Sequence, residues 1–430
     1  LDVQVDQVTG VSVESSKGKV DLVKSGDAWK ITAPRETGAD PVTVDSLLDS
    51  LEDAKIVKSI EETPSDLAPF GLDQPESTVV LKLADGGART PSRGDEQKIL
   101  LVPDGVRMTS QKGLDDLRDR TVLTFADADV TEIKIQTGES EPIVLRKDGN
   151  DWTMVSPTTV KADASQVRSL LASLRALRAT AFVDDAGSPP DAKYNLTPPR
   201  VTVELTVGPS GEKKTLLVGG ATDEPAKKEI YAQAAPGDTV YVVGSHLYST
   251  VTKTPLDFRD KTVHAFDKDK VQRVVVTRQD GAGFTLEKKD GKWSVADAGD
   301  TPVKEFIASR YVDDLRELKG TDIASEEGPR PEFQLSEPTI RVELEGADGK
   351  LGAIAVSVQG EGADKRIYAA ADGGQTVYLL QDYVFQRVDK QRNDFLTLPT
   401  PTPAASPAAT SGDAADGEGE DPASDDEPAE

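Results

Sequence analysis

The sequence predicts an α+β protein of three like modules in tandem, each an antiparallel sheet packed on one amphipathic helix, followed by a disordered acidic tail. Three observations carry that prediction. A stretch made of a tight turn, a tryptophan and a leucine-striped helix starts at Ser25, again at Asp148 and again at Asp290. Segments that alternate apolar and polar residues, separated by glycine-containing turns, flank each copy, as strands in hairpins do. Each copy runs on to an arginine–aspartate signature, after which another alternating segment or a change of composition begins: Leu117-Arg118-Asp119, Phe258-Arg259-Asp260 and Arg392-Asn393-Asp394-Phe395. Taking these signatures as joints places the modules at 1–122, 123–263 and 264–398, with a tail at 399–430. Three domains also suit a chain of 430 residues, because single cores stop growing near ~250 residues.

Module one opens with Val8 to Val13, a Lys-Gly turn, Val20 to Lys24 and the Trp29 strand. Asp40 then suits an N-cap, since its carboxylate can accept first-turn amides, and Pro41 suits the first helical position. Val44, Leu47, Leu48 and Leu51 fall at i, i+3, i+4 and i+7, one stripe on one helix. In module two Asp163 is the expected cap and Gln166 stands at capping-box spacing. Val167, Leu170, Leu171, Leu174 and Leu177 form the stripe there. In module three the helix is expected to start near Thr301 and Pro302, with Tyr311, Val312, Leu315 and Leu318 inward.

After each helix comes a short extended segment ending in an acidic pair, Glu61-Glu62, Asp184-Asp185 or Glu326-Glu327. An aromatic-x-Leu-x-x-Pro element follows, from Phe70, Tyr194 and Phe333, and reads as a packed loop ahead of a strand. Those strands are Thr78 to Leu83, Val201 to Val207 and Ile340 to Leu344. Modules two and three repeat a further strand pair, Ile230-Tyr231 with Val240-Tyr241 and Ile367-Tyr368 with Val377-Tyr378. Module one shows only the strand-like remnants Lys98 to Val102 and Val106 to Ser110. Short helices are expected at Ser245 to Val251 and Asp382 to Val388.

Composition excludes several functions. The net charge is −26, and nine acids with no base sit in the last thirty residues, leaving the rest near −17. An anionic surface repels phosphate backbones, so nucleic acid is excluded as a partner class. There is no cysteine, hence no disulfide, thiolate metal site, thiol nucleophile or lipid anchor through this segment. No apolar run reaches the eighteen residues a membrane helix needs. The Pro/Ala/Ser-rich stretch from Pro399 cannot bury enough apolar surface to offset ordering, which costs ~1 to 2 kcal/mol per residue.

Chemistry-bearing patterns are sparse. His246 and His264 are the two histidines, and each is replaced by an ordinary residue at the matching place in another module. No Gly-x-Ser-x-Gly elbow is present. Gly281 and Gly283 read as a hairpin turn rather than a phosphate loop. The acidic pairs are candidates for weak cation binding, but none lies in an Asp-x-Asp-x-Asp-Gly loop. A glycosidase would set two carboxylates ~5 to 9.5 Å apart, and spacing along the chain places no such pair. Trp29, Trp152 and Trp293 are either sugar-stacking platforms or covers for the sheet–helix junction, and their matching positions favour covers. Arg118-Asp119 and Arg259-Asp260 read as structural joints. Arg168, Arg175 and Arg178 make a basic strip on the middle helix and are the first place to look for an anionic partner. No catalytic residue, cofactor or metal site is expected.

In order, Trp-x-x-x-x-Pro, Ala-Asp, a Val/Leu-striped helix, Leu-x-x-Pro, a Tyr-bearing strand and Arg-Asp-Lys resemble the bacterial domain of unknown function catalogued under number 4340. Trp152, Pro157, Ala162, Asp163, Leu170, Leu171, Leu174, Leu196, Pro199, Leu217, Gly219, Tyr231, Arg259 and Asp260 carry the likeness in module two, and Phe70-Gly71-Leu72 carries it in module one. The resemblance implies an extracytoplasmic envelope protein anchored by an N-terminal membrane helix outside this sequence. It also implies an auxiliary role, without known catalytic residues, beside an ABC transport system of the gliding-motility type. The expected function is therefore a non-enzymatic scaffold for protein partners, the alternative being a carbohydrate- or peptide-binding envelope module or, further off, an envelope hydrolase.

Overall fold

The computed structural model describes residues 5–61, 66–84, 88–89, 99–184 and 192–397. The expected tail at 399–430, together with Glu62 and Asp185 of the acidic pairs, lies outside the described residues. The chain divides into two compact units, Leu1–Asp260 and Lys261–Glu430. The division falls within the second joint signature, so the first unit holds modules one and two and the second holds module three.

In module one Val8–Ser15, Gly18–Ser25 and Ala28–Ala33 form an antiparallel meander, and Ser77–Leu83 pairs with the other edge of the first strand. Helix α1, Pro41–Glu52, begins as the proline predicts and buries Val44, Leu47, Leu48 and Leu51. These pack on Val11, Val13, Leu22, Ile31 and Trp29 in one core. A buried leucine is stabilised by ~1.5 to 3 kcal/mol relative to exposure, so the stripe outweighs the weak propensity of a helix with a β-branched first turn. Lys58–Glu61 and Ile99–Leu101 pair as a separate two-stranded ribbon. Two short helices, α2 at Asp104–Ser110 and α3 at Leu114–Leu117, lead to the first joint.

Module two repeats this plan more fully. Its nine antiparallel strands run, edge to edge, Val160–Lys161, Asp151–Ser156, Ile143–Asp148, Val130–Thr137, Val201–Val207, Glu212–Ala221, Glu229–Ala235, Val240–Gly244 and Ala181–Val183. The strand made after the helix, Ala181–Val183, closes the far edge by pairing Phe182 with Tyr241. Helix α4, Ala164–Arg175, lays Val167, Leu170, Leu171 and Leu174 on one face of this sheet. Helices α5, His246–Val251, and α6, Pro255–Phe258, follow, with Leu247, Val251 and Phe258 in the same core. A smaller cluster of Tyr194, Leu196 and Val240, packed with Leu217 and Tyr231, contains the aromatic-x-Leu loop.

The second unit has an eight-stranded sheet of the same order. Helix α7, Glu305–Arg316, packs Ala308, Tyr311, Val312 and Leu315 on it, and α8, Asp382–Val388, adds Val384, Phe385 and Val388. Phe333 and Leu335 form the smaller cluster with Ala355, Ala370 and Val377.

Several sequence expectations are corrected. Val106 to Ser110 is helical, part of α2, rather than a strand remnant. Gln166 makes no capping box: the Asp163 carboxylate caps the helix by accepting the Ser165 amide, and the Lys253 ammonium donates to Gln166 Oε1 at 2.7 Å. The module-three helix starts at Glu305 rather than near Thr301, because Val303 is bridged to Leu396 and the Lys304 amide donates to the Phe395 carbonyl. The loop residues Phe70 and Leu72 are exposed in module one, unlike their buried counterparts. The third signature is also misplaced. Leu117, Phe258 and Phe395 each accept an amide from just ahead of the helix, so Leu396-Thr397 stands where Arg118-Asp119 and Arg259-Asp260 stand.

Candidate functional site at the joint of modules one and two

The residues that recur in all modules build cores and joints. Trp29, Trp152 and Trp293 are 4%, 5% and 6% exposed, each in a strand shortly ahead of its module's helix. Register places a lysine opposite each one, Lys24, Lys147 and Lys288, and the first and last of these lie over the indole at 5.8 and 5.6 Å. The tryptophans are therefore covers for the sheet–helix junction. Asp163 caps α4 as expected, its Oδ1 accepting from the Ser165 amide at 2.8 Å. Asp40 does not bond a backbone amide; its carboxylate accepts from the Thr43 hydroxyl at 3.1 Å and lies 3.5 Å from Arg178.

The densest polar arrangement is at the first joint. Arg118 is 1% exposed. Its Nη1 donates to both carboxylate oxygens of Asp184, at 2.9 and 3.2 Å, and lies 3.5 Å from Asp115. Its guanidinium carbon sits 3.8 Å from the centroid of Phe182, which in turn contacts Tyr241. Arg35 of module one adds a second cation at 2.9 Å from Asp184. One acid of a pair considered for weak cation binding is thus an anchor between modules. Arg120 donates to the carbonyls of Ala179, Thr180 and Asp115. Backbone bonds run alongside: the Ala179 amide to Arg120, the Val122 amide to Leu177 and the Asp40 amide to Leu117, with a bridge between Thr121 and Arg178.

An open cleft of about 340 Å³ at this joint is lined by Lys17, Gly113, Leu114, Asp115, Asp116 and Asp184. Burial pushes the Asp116 carboxyl up, but the Gly113 amide and the Lys17 ammonium outweigh it and leave it below the ordinary carboxylate range. Each of the three carboxylates already faces a cation of the chain, Asp115 and Asp116 within module one and Asp184 across the joint. Among the described residues no group of three or more His, Asp or Glu is arranged to hold a metal ion.

The predicted basic strip separates into three different situations. Arg168 is exposed on α4. Arg175, at the end of α4, lies 3.5 Å from Asp127. Arg178 lies beyond the helix, donates to the Thr121 hydroxyl at 2.8 Å and belongs to the joint. At the second signature the Asp260 amide donates to Lys161, Lys161 lies 3.9 Å from the Asp260 carboxylate, and Arg259 is bridged to Ala162. Asp119 Oδ1 accepts from the Thr121 amide. In the second unit Glu327 pairs with Arg330, and His264 lies 3.2 Å from the Leu351 carbonyl and stacks on Phe266. Composition alone does not mark Asp184, Arg35 and Phe182 as functional; the sign available was an acid after a β-rich segment in each module.

Among the described residues no helix is long and apolar enough to cross a membrane. No curated protein matches this chain. The profile of one family, described as Domain of unknown function (DUF4340), matches residues 29–192, 152–329 and 293–397. Each match starts at one of the three tryptophans, and the first runs through the joint to include Arg118, Phe182 and Asp184. With three overlapping matches that together span most of its length, the chain belongs to the DUF4340 family.

Proposed function

We propose that this protein is a non-enzymatic repeat scaffold of the bacterial cell envelope, binding protein partners of an ABC-type transport or motility assembly. The observation that carries this reading is that the recurring residues are engaged in cores and joints, while the outward helix faces differ from module to module. At matching places α1 has Asp45 and Glu52 where α4 has Arg168 and Arg175. Repetition with divergent faces enlarges and diversifies a binding surface more readily than it builds one reactive site. The envelope setting and the transport partner rest on the family resemblance. A sugar platform requires an exposed aromatic face, and the buried tryptophans disfavour that alternative. The test is co-purification from cells at native abundance in mild detergent. Membrane transporter subunits are the expected companions, and recovery of the protein alone would count against the proposal.

A further inference from the structure

Helices α1 and α4 stand at the same place in their modules and carry opposite charge on their outward faces. Counted from Asp40 and Asp163, the residues just ahead of the two helices, Asp45 matches Arg168 and Glu52 matches Arg175. Helix α1 contains three acids and no base, whereas α4 contains two arginines and no acid. The members of each pair are separated by close to two helical turns, so each pair lies on one side of its helix, about 10 Å apart. All four side chains are exposed.

Both faces are open. Among the described residues Asp45, Asp49, Glu52 and Arg168 have no ion-pair partner, and Arg175 has Asp127 alone, at 3.5 Å. An open groove of about 490 Å³ over α1 is lined by Val42, Asp45, Ser46, Asp49, Ser50 and Asp53. Val42, 74% exposed, adds an apolar contact there. Between Arg168 and Arg175 the outward residues of α4 are Ser169 and Ala172, small enough for a second helix to approach to the usual ~8 to 10 Å. The two helices of one chain do not satisfy each other. Arg178, just past α4, reaches Asp40, just ahead of α1, at 3.5 Å, so they meet at their ends while each covers its own core.

We propose that this chain self-associates by docking α1 of one copy antiparallel on α4 of a second copy. Glu52 then meets Arg168, Asp45 meets Arg175, and Asp49 stands opposite Ala172, between the two arginines. The antiparallel sense also sets the helix dipoles against each other. One exposed ion pair contributes at most ~1 kcal/mol, so the contact depends on both pairs being in register together with Asp49 and Val42. The net charge of −26 opposes association of like copies. At ~0.15 M salt, however, the Debye length is ~8 Å, which screens the bodies from one another while charges in direct contact still attract. Because the two faces differ, each copy can give one contact and accept another.

Sedimentation velocity of the full chain at rising concentration in ~0.15 M salt tests this. Association that grows with concentration is expected, weakened about tenfold or more in ~1 M salt. Asp45→Arg with Glu52→Arg leaves both faces basic on balance, and Arg168→Glu with Arg175→Glu leaves both acidic, so each double variant alone is expected to stay monomeric. An equimolar mixture of the two is expected to associate again, since each supplies the face the other lacks. Circular dichroism and denaturant midpoints check that these exposed substitutions keep the fold. Arg168→Glu alone, at a side chain with no ion-pair partner among the described residues, should weaken association severalfold even where a double variant loses structure. A monomer at every concentration, unchanged association in either folded double variant, or no restoration in their mixture would overturn the proposal.

Discussion

Arg118→Ala tests whether the joint between modules one and two is held by side chains. Arg118 has two short bonds to Asp184 and stacks on Phe182. Breaking a buried pair by deleting one partner costs ~3 to 5 kcal/mol, mainly because the other charge is stranded. Here Asp184 is 32% exposed and keeps Arg35 at 2.9 Å, so that penalty shrinks to roughly half. Loss of the guanidinium–ring contact adds ~1 kcal/mol. Against these, the buried Arg118 Nε has no hydrogen-bond partner among the described residues, and removing an unsatisfied donor returns ~1 kcal/mol. The balance is a destabilisation of ~1.5 to 2.5 kcal/mol. Arg118→Leu, the residue type found at Leu396, fills more of the space and should cost less.

The assay is a double-mutant cycle of Arg118→Ala and Asp184→Asn, read by urea denaturation of the whole chain with tryptophan fluorescence and circular dichroism. Residues sharing one contact are non-additive, and a coupling of ~1 to 2 kcal/mol is expected. The first transition should separate from the rest as modules one and two lose cooperativity. Additive effects, or a loss below ~0.5 kcal/mol for Arg118→Ala, would refute the reasoning.

Three further outcomes are expected. Leu171→Ala on α4, where Leu171 is 2% exposed, should cost ~2 to 5 kcal/mol in denaturant midpoint analysis; a loss well under 1 kcal/mol would mean the stripe faces a partner. Intrinsic fluorescence of the buried Trp29, Trp152 and Trp293 should be blue-shifted and insensitive to added glycans, and a red-shifted, glycan-quenched signal would restore the sugar-platform alternative. Tyr311 is fully buried, with its hydroxyl donating to the Val388 carbonyl at 3.1 Å, and burial pushes its phenol above the ordinary range. Because the folded form then holds its proton longer than the unfolded form, this stabilisation is present below the unfolded value near ~10 and is lost as pH rises above it. An alkaline spectrophotometric titration of the folded protein should show a late-titrating phenol that Tyr311→Phe removes.

Local pattern made the module legible and long-range pairing hid its joint. The α1 and α4 stripes follow from period and from Asp40-Pro41 and Asp163, because a helix start and an apolar face are both local properties. Val106 to Ser110 is rich in residues that also suit strands, and packing of α2 on α1, including the Ser50–Thr109 hydroxyl contact at 2.8 Å, decides for helix. Gln166 was one acceptor among several for a cap until Lys253 came within reach across the fold. Asp184 lies far along the chain from Arg118 and looks like any surface acid until Ala181–Val183 pairs with Val240–Gly244 and turns Phe182 and Asp184 toward the joint. Sequence similarity aligns Arg392-Asn393-Asp394 with the two earlier signatures, whereas backbone bonding aligns Phe395 with Leu117 and Phe258.

That realignment gives the joint a direction. Arg118-Asp119 and Arg259-Asp260 each precede a segment that opens another sheet, whereas the third module has Leu396-Thr397 at the same place, followed by a Pro/Ala/Ser-rich stretch. The backbone part of the joint, an amide just ahead of the helix donating to residue 117, 258 or 395, is common to all three and needs no particular side chain. What changes is the side chain that follows. At the first joint that side chain reaches forward to Phe182 and Asp184 of the next module, so arginine is selected by what comes after it rather than by its own module's core. In the third module Leu396 is 2% exposed and packs in the core with Phe395, which completes that module without presenting a guanidinium. The arginine is thus the coupling element of the first joint.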